Sequence, residues 1–232
     1  MSYVLPPAAV PVVPVQGRTD LDFAVRRIYC VGRNYALHAK EMGFSGREPP
    51  FFFLKPADAL LAVREGEVGT MHYPTLTSDL QHEVELVVAI GVGGRSIAAA
   101  DALAHVWGYG VGLDMTRRDL QGEAKKQGRP WCIGKAFDES APIGALRAAT
   151  QCRIAAATEI RLDVNGTTRQ RATLGEMIWS VPEIIEHLSR AWTLAPGDLI
   201  YTGTPAGVGA VVVGDRLEAS VAGVASLCIE VV

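Results

Sequence analysis

The chain has no long apolar run, no paired cysteines and no basic block, and each absence removes a class of protein. No uninterrupted hydrophobic stretch approaches the roughly 18–20 residues of a membrane helix, although hydrophobic residues make up 49% of the sequence. The four cysteines, Cys30, Cys132, Cys152 and Cys228, are scattered and form no Cys-x-x-Cys pair. They are expected to be buried, reduced thiols of a cytoplasmic protein, not a disulfide or zinc framework. Beyond Lys125-Lys126 no basic residues cluster or interleave with aromatics, and the net charge is −3, which argues against nucleic acid as a partner. The apolar residues 4–14 are broken by prolines and lack a basic flank, so they make a poor signal peptide and no membrane helix. They read as an extended arm. The 232 residues suffice for a large core.

What is present is an acidic pair at the mouth of an apolar run, Glu83-Val-Glu-Leu-Val-Val-Ala-Ile-Gly91. Residues i and i+2 of a strand share a face, so Glu83 and Glu85 stand side by side, about 7 Å apart along the strand. Like charges so placed repel, and burial sharpens the repulsion. No Lys or Arg lies in the run, so the compensating charge comes from elsewhere in the fold or from a metal ion. A third carboxylate, Asp114, ends the run Gly108-Tyr-Gly-Val-Gly-Leu-Asp114, whose glycines mark close approach of neighbouring groups. Carboxylates without histidine or cysteine ligands suit a hard cation, Mg²⁺ first, then Mn²⁺ or Ca²⁺. His82 points to the face opposite Glu83 and is not counted as a ligand. Taken alone, Glu-x-Glu also fits a solvated strand end.

Short strands dominate the remainder. They include residues 27–32, residues 51–55 between prolines, a hairpin over 160–170 turning at Asn165-Gly166, and two closing strands over 214–223 and 225–232. Helices are few: one capped by Asn34 and reaching about Met42, one over 96–104, and one running to Ala191 with Pro182 in its first turn. Strict β-α-β alternation is absent, so the class is α+β, β-rich, with mixed sheets.

Four further pieces can carry chemistry. Arg118 and Gln121 lie four and seven residues past Asp114; on a helix they share its face and aim a guanidinium and an amide at a ligand of the metal. A solvated helix face is the alternative. Lys135, among apolar neighbours, is costly to bury unless it meets an anion, and it would then polarise a carbonyl or enolate oxygen; otherwise it reaches solvent along its stem. The loop Gly203-Thr-Pro-Ala-Gly-Val-Gly209 lacks the ending of a nucleotide P-loop, and its backbone N–H groups and Thr204 fit a carboxylate or a plain hairpin. His38 and Glu41, three residues apart, fit a general-base pair or a surface pair.

Together these motifs closely resemble the fumarylacetoacetate hydrolase family. The likeness runs through Gly-Arg-Asn-Tyr-x-x-His-x-x-Glu at 32–41, Phe-x-Lys-Pro at 53–56, Glu-x-Glu at 83–85 and Asp-x-x-x-Arg-Asp-x-Gln at 114–121. It continues through Gly-Lys-x-Phe at 134–137, Val-Asn-Gly at 164–166 and Pro-Gly-Asp-x-Ile-x-Thr-Gly-Thr-Pro-x-Gly-Val-Gly at 196–209. Residues 26–35, 49–53, 55–59 and 177–185 are most similar to bacterial fumarylpyruvate hydrolases of gentisate degradation. Acylpyruvases, oxaloacetate decarboxylases and hydroxy-diene-dioate isomerases share much of the skeleton.

The resemblance covers about residues 27–232 and implies one catalytic domain there, preceded by a Pro-rich arm over 1–26 to which no role is assigned. It implies a mixed β-roll with a short helical lid, usually in a homodimer. It implies Glu83, Glu85 and Asp114 as Mg²⁺ or Mn²⁺ ligands, and His38 and Glu41 as the catalytic pair, with Lys135 beside them. Arg33, Arg118, Gln121, Lys135 and Thr204 are implied around a small 2-oxo acid. The implied reaction is hydrolysis of a C–C bond in a 1,3-diketo acid, with fumarylpyruvate favoured; same-fold decarboxylation or isomerisation and a non-catalytic ligand-binding role are the rivals. Arg129, Arg47 and Lys126 are candidates for the distal carboxylate of a fumaryl arm, Arg129 foremost. The segment 34–47, with Gly43 and Gly46, is expected to close over bound substrate.

Overall fold

The computed structural model describes residues 3–36 and 47–232. Its frame follows from the Val84–Ile90 strand, in which every residue is buried. Val84, Leu86, Val88 and Ile90 enter one hydrophobic cluster. Val87 and Ala89 enter a second on the opposite face. Side chains alternate across a strand, and burial on both faces explains why the run is apolar throughout. Glu85 has the parity of Val87 and Ala89, so its carboxylate projects to the side of the smaller cluster.

This strand is central to an eight-stranded sheet. From one edge the order is Phe51–Lys55, Arg27–Gly32, Asp198–Tyr201, Val84–Ile90, Val106–Leu113, Ala141–Ile143 and Leu60–Ala62, with Arg147–Ala148 pairing on Val106–Leu113. Two of its pairings are parallel, Asp198–Tyr201 with Arg27–Gly32 and Ala141–Ile143 with Leu60–Ala62. The strand-rich sheet curls into a half-barrel. A five-stranded sheet covers one face, and Ile160, Leu162, Leu217 and Ile229 from it join Leu86, Val88 and Val111 in the larger cluster. In Glu159–Val164 buried and more exposed residues alternate, as befits a sheet with one face to water. A three-stranded sheet of Thr116–Arg117, Leu80–His82 and Gly209–Val211 lies at the end where the carboxylates emerge. The class is mixed α+β, as the sequence implied.

Local readings fare unevenly. The hairpin turns at Asn165 (φ 51°) and Gly166 (φ 75°), the left-handed pair of a type I′ turn. The Val181–Ala191 helix is opened by a capping box between Ser180 and Glu183, with proline in its first turn. The helix expected over 96–104 is only a 3₁₀ turn at Ala102–His105, because Ser96 adopts φ 52° and Ser189 Oγ accepts the Ile97 N–H. Asp114 lies on no helix: Thr116–Arg117 pairs with the Leu80–His82 strand, and the helix begins only at Arg118. Of the four cysteines expected to be buried, only Cys30 is; Cys132 is exposed, and Cys152 and Cys228 are half-buried. Within the N-terminal arm, Val12–Pro14 pairs with Asp22–Ala24, and Val13 is buried in the smaller cluster. Among the described residues, no helix is long and apolar enough to cross a membrane.

The glycines of Val106–Leu113 are required by contact. A Cβ on Gly112, which pairs in register with Glu85, would stand 2.7 Å from the Tyr201 ring. A Cβ on Gly144 would stand 2.2 Å from the Ser226 carbonyl oxygen. Gly144→Ala should therefore destabilise the fold by about 1–3 kcal/mol, the usual effect of overpacking. Gly122, inside the Arg118–Lys126 helix with nothing within 4 Å of its virtual Cβ, should gain about 0.5–1 kcal/mol as alanine. Chemical denaturation of the two variants checks this; shifts of the same sign would contradict the contact map.

Candidate metal centre

Strand pairing brings the carboxylates together. Val84 pairs with Leu113 and Glu85 with Gly112, and the Asp114 N–H donates to the Glu83 carbonyl at 2.8 Å. One carboxylate oxygen from each of Glu83, Glu85 and Asp114 lies within 4.8 Å of the others. All three residues are buried, at 6%, 1% and 1% exposure.

Among the described residues, three cations meet them, none from the acidic run itself. Lys135 Nζ donates to Glu83 Oε2 at 2.8 Å, Asp114 Oδ2 at 2.7 Å and Thr116 Oγ1 at 2.6 Å. Burial alone would lower the Lys135 pKa, but Asp114 and Glu83 outweigh it and raise it above the ordinary value. The Arg118 guanidinium donates to Glu83 Oε1, to Gln81 Oε1 at 2.7 Å and to Gln121 Oε1 at 2.6 Å. Lys55, fully buried, donates to the carbonyls of Met115 and Lys135, and its Nζ lies 2.9 Å from Asp114 Oδ1. Among the described residues, no cation makes an ion pair with Glu85, although the Lys135 charge acts on it from a distance. Its Oε2 accepts the Gly203 N–H at 2.7 Å, and burial together with the neighbouring Asp114 and Glu83 charges pushes its carboxyl well up.

The donor set fits a hard divalent cation. Asp114 Oδ1 is buried and accepts no hydrogen bond, its contact with Lys55 being one of charge without alignment. Oxygen donors from three carboxylates converge there, and the raised pKa of Glu85 is what a missing positive charge would correct. His82 is turned to Gln170, its Nδ1–H donating to Gln170 Oε1 at 3.0 Å, and burial lowers its pKa.

The remaining residues singled out in the sequence divide into two groups. Arg33, Gln121 and Thr204 line the cavity over the carboxylates with Arg118 and Lys135. Its volume is about 30 Å³, room for an ion and a water or two but not for a diketo acid. Arg118 is already committed to Glu83, Gln81 and Gln121. The Gly203 N–H that the loop was expected to offer a ligand is taken by Glu85. His38 and Glu41, with most of the segment 34–47, lie outside the described residues. Arg129 and Lys126 are exposed and do not line the cavity, and Arg47 pairs with Glu183 and stacks on Trp179 at 4.1 Å.

Three supports were not identified from the sequence. Lys55 stood in Phe-x-Lys-Pro, and the reasoning applied to Lys135, that a lysine among apolar residues needs an anion, would have found it. Gln170 Oε1 accepts the Val84 N–H, and its Nε2 donates to Thr204 Oγ1 and the Pro205 carbonyl, tying strand to loop. Asn34 was expected to cap a helix whose body lies outside the described residues; its amide bridges Trp179 and the Thr202 carbonyl.

Comparison with known proteins places these features in context. Residues 27–232 match the model described as fumarylacetoacetate (FAA) hydrolase C-terminal. The fumarylpyruvate hydrolase of Pseudomonas aeruginosa, solved with Mn²⁺ and pyruvate, is 51% identical, with a TM-score of 0.97 over 100% of this chain and 99% of that one. A candidate fumarylpyruvate hydrolase from Burkholderia cenocepacia is 56% identical, with a TM-score of 0.91 over 100% and 98%. The mitochondrial oxaloacetate tautomerase of Rattus norvegicus is 44% identical over 87% of this chain and 90% of its own.

Two predictions follow from the charge arrangement. Lys135→Met removes the cation shared by Glu83 and Asp114 and should cost about 3–5 kcal/mol. Mn²⁺ should restore more of the melting temperature in this variant than in the parent; an equal shift in both would contradict the bridging role. The second concerns pH. A carboxyl raised in the fold contributes stability that is full below its ordinary pKa of 4.5 and is lost as pH climbs through the raised value. The metal-free protein should therefore lose stability with rising pH over that window, and Glu85→Gln should flatten the slope. Metal, which takes the ionised form, should displace a proton on binding, so calorimetric heats should vary with the ionisation enthalpy of the buffer. Buffer-independent heats would count against a protonated Glu85.

Proposed function

Because the chain belongs to the fumarylacetoacetate hydrolase family, we propose that it is a divalent-metal-dependent hydrolase of acylpyruvates. Fumarylpyruvate is the preferred substrate, and fumarate and pyruvate are the products. The observation that carries this reading is the buried triad of Glu83, Glu85 and Asp114 with Lys135 against two of its members. The similarity to an enzyme solved with Mn²⁺ and pyruvate supports it further. Mg²⁺ or Mn²⁺ held by the three carboxylates supplies a Lewis acid and a template for the 2-oxo acid end of the substrate.

The chain's own residues do the rest. His38, oriented by Glu41, takes a proton from water, whose oxygen attacks the acyl carbonyl. The bond from that carbon to the methylene breaks, and its electron pair moves onto the pyruvate half. The Lys135 ammonium stabilises the charge that develops on the 2-oxo oxygen. A proton delivered to the methylene carbon completes pyruvate, and the hydroxyl oxygen remains in the second acid. Arg33, Arg118, Gln121 and Thr204 bound the substrate.

A second reading draws on the oxaloacetate tautomerase relative. The same floor would then serve proton transfer beside a 2-oxo group with no attack by water. Assaying fumarylpyruvate, acetylpyruvate and oxaloacetate with Mg²⁺ or Mn²⁺ separates the two. Loss of the diketo absorbance with equimolar fumarate and pyruvate, abolished by EDTA, is expected. His38→Ala should lower kcat by about 10²–10⁴ and leave Mn²⁺ affinity unchanged. Interconversion of oxaloacetate tautomers without cleavage of any diketo acid would favour the second reading.

A further inference from the structure

The arginines considered for the far end of the substrate are turned elsewhere, but a different path leads away from the carboxylates. Phe51, Phe53 and Lys55 alternate along the edge strand Phe51–Lys55 and so share one face, spanning about 13 Å. Lys55 sits at the floor against Asp114. Lys135 Nζ lies 5.2 Å from the centroid of the Phe53 ring. Phe53 is 5.9 Å from Trp131, and Trp131 is 5.4 Å from Phe51, edge to face at 88°. The Arg33 guanidinium carbon then lies 5.2 Å from the Phe51 ring. The rings, Lys135 and Arg33 line the same cavity.

This strip is built, not incidental. A Cβ on Gly32 would stand 1.9 Å from the Phe51 ring, so the ring lies where only glycine admits it. Arg33 holds φ 58°, a left-handed conformation that is costly for a residue with a side chain. Both features place a flat aromatic surface and a guanidinium at the mouth. The cavity that these residues line with the carboxylates has a volume of about 30 Å³, too small for an acyl group, so an arm would extend past it along the rings.

Resting on the acylpyruvate reading, we propose that the strip from Lys135 to Arg33 is the acyl-arm subsite. Trp131 in it selects a planar, unsaturated arm that ends in an anion. A conjugated chain offers a π-face for offset or edge contact with the rings, and its terminal carboxylate meets the Arg33 fork. A saturated arm of equal length and charge bends off the rings. An acetyl arm ends before Arg33, and oxaloacetate has no arm to place there. Trp131 is partly exposed at the N-terminal edge of the short Cys132–Lys135 helix, so its replacement spares the core.

The test compares Trp131→Leu and Trp131→Phe with the parent on fumarylpyruvate, its saturated counterpart succinylpyruvate, and acetylpyruvate. Trp131→Leu should lower kcat/KM for fumarylpyruvate by roughly 3- to 10-fold, the scale of an aromatic contact, and chiefly through KM. The other two substrates and the affinity for oxalate with Mn²⁺ should stay within about twofold on that scale. Trp131→Phe should recover most of the loss. Equal losses on all three substrates, or none on fumarylpyruvate, would overturn the subsite. If the parent cleaves none of them, the acylpyruvate reading fails by itself. The same ranking is then sought in calorimetric Kd values for the uncleaved diketo acids with Mn²⁺, and absence of the ranking there overturns the strip.

Discussion

The structure depends on one balance of buried charge. Glu83, Glu85 and Asp114 are nearly inaccessible, and three carboxylates in that position would drive the strands apart. Lys135, Lys55 and Arg118 prevent this, and they come from three separate elements. The short Cys132–Lys135 helix, the edge strand Phe51–Lys55 and the Arg118–Lys126 helix are thus docked by the acids they neutralise. Lys135 makes three hydrogen bonds of 2.6–2.8 Å at once, which fixes its ammonium as firmly as a rigid ligand would. Loss of one member leaves an unpaired charge in a dry place, the costly case for buried ion pairs.

The sheet makes the balance possible. A strand buried on both faces carries its acids at one end, where the apolar stretch meets the small three-stranded sheet. Register then does the positioning: Glu85 opposes Gly112, and the absence of a side chain there leaves room for Tyr201, whose hydroxyl donates weakly to the carbonyls of Ala141 and Pro142 at 3.3–3.4 Å. Gln170, reaching from the five-stranded sheet, satisfies the Val84 N–H and Thr204, so the second sheet also holds the site's rim. Site and core share hydrogen-bond partners.

Much of this was legible in the sequence because it rests on short periods. Two-residue alternation placed Glu83 and Glu85 on one face, and the glycine row in Val106–Leu113 announced close contact. Asn165-Gly166 announced its turn. What escaped depends on distance in space. Arg118 and Gln121 were placed on a helix continuous with Asp114, but pairing of Thr116–Arg117 with Leu80–His82 overrode local helix preference. Arg129 was ranked by nearness along the chain, which a turn at Gly128 (φ 64°) cancels, leaving it exposed. Arg33 was named only through the family resemblance: it lines the same cavity as the carboxylates from fifty residues away in the sequence, and nothing in its neighbours marks its left-handed backbone.

The balance also bears on what the site can hold. With Glu85 ionised, as bound metal requires, the three acids and the three described cations leave these six side chains neutral as a set, and Arg33 is a further cation of the cavity lining. A divalent cation entering such a cluster brings two uncompensated charges into a region of low dielectric, which is unfavourable unless an anion enters with it. A 2-oxo acid supplies that anion and also two oxygens in chelating position. Metal and substrate therefore favour each other's binding, and the cations that hold the metal-free protein together are the same groups that make the loaded site select for acids. A carboxylate cluster without them would bind metal more tightly and discriminate less.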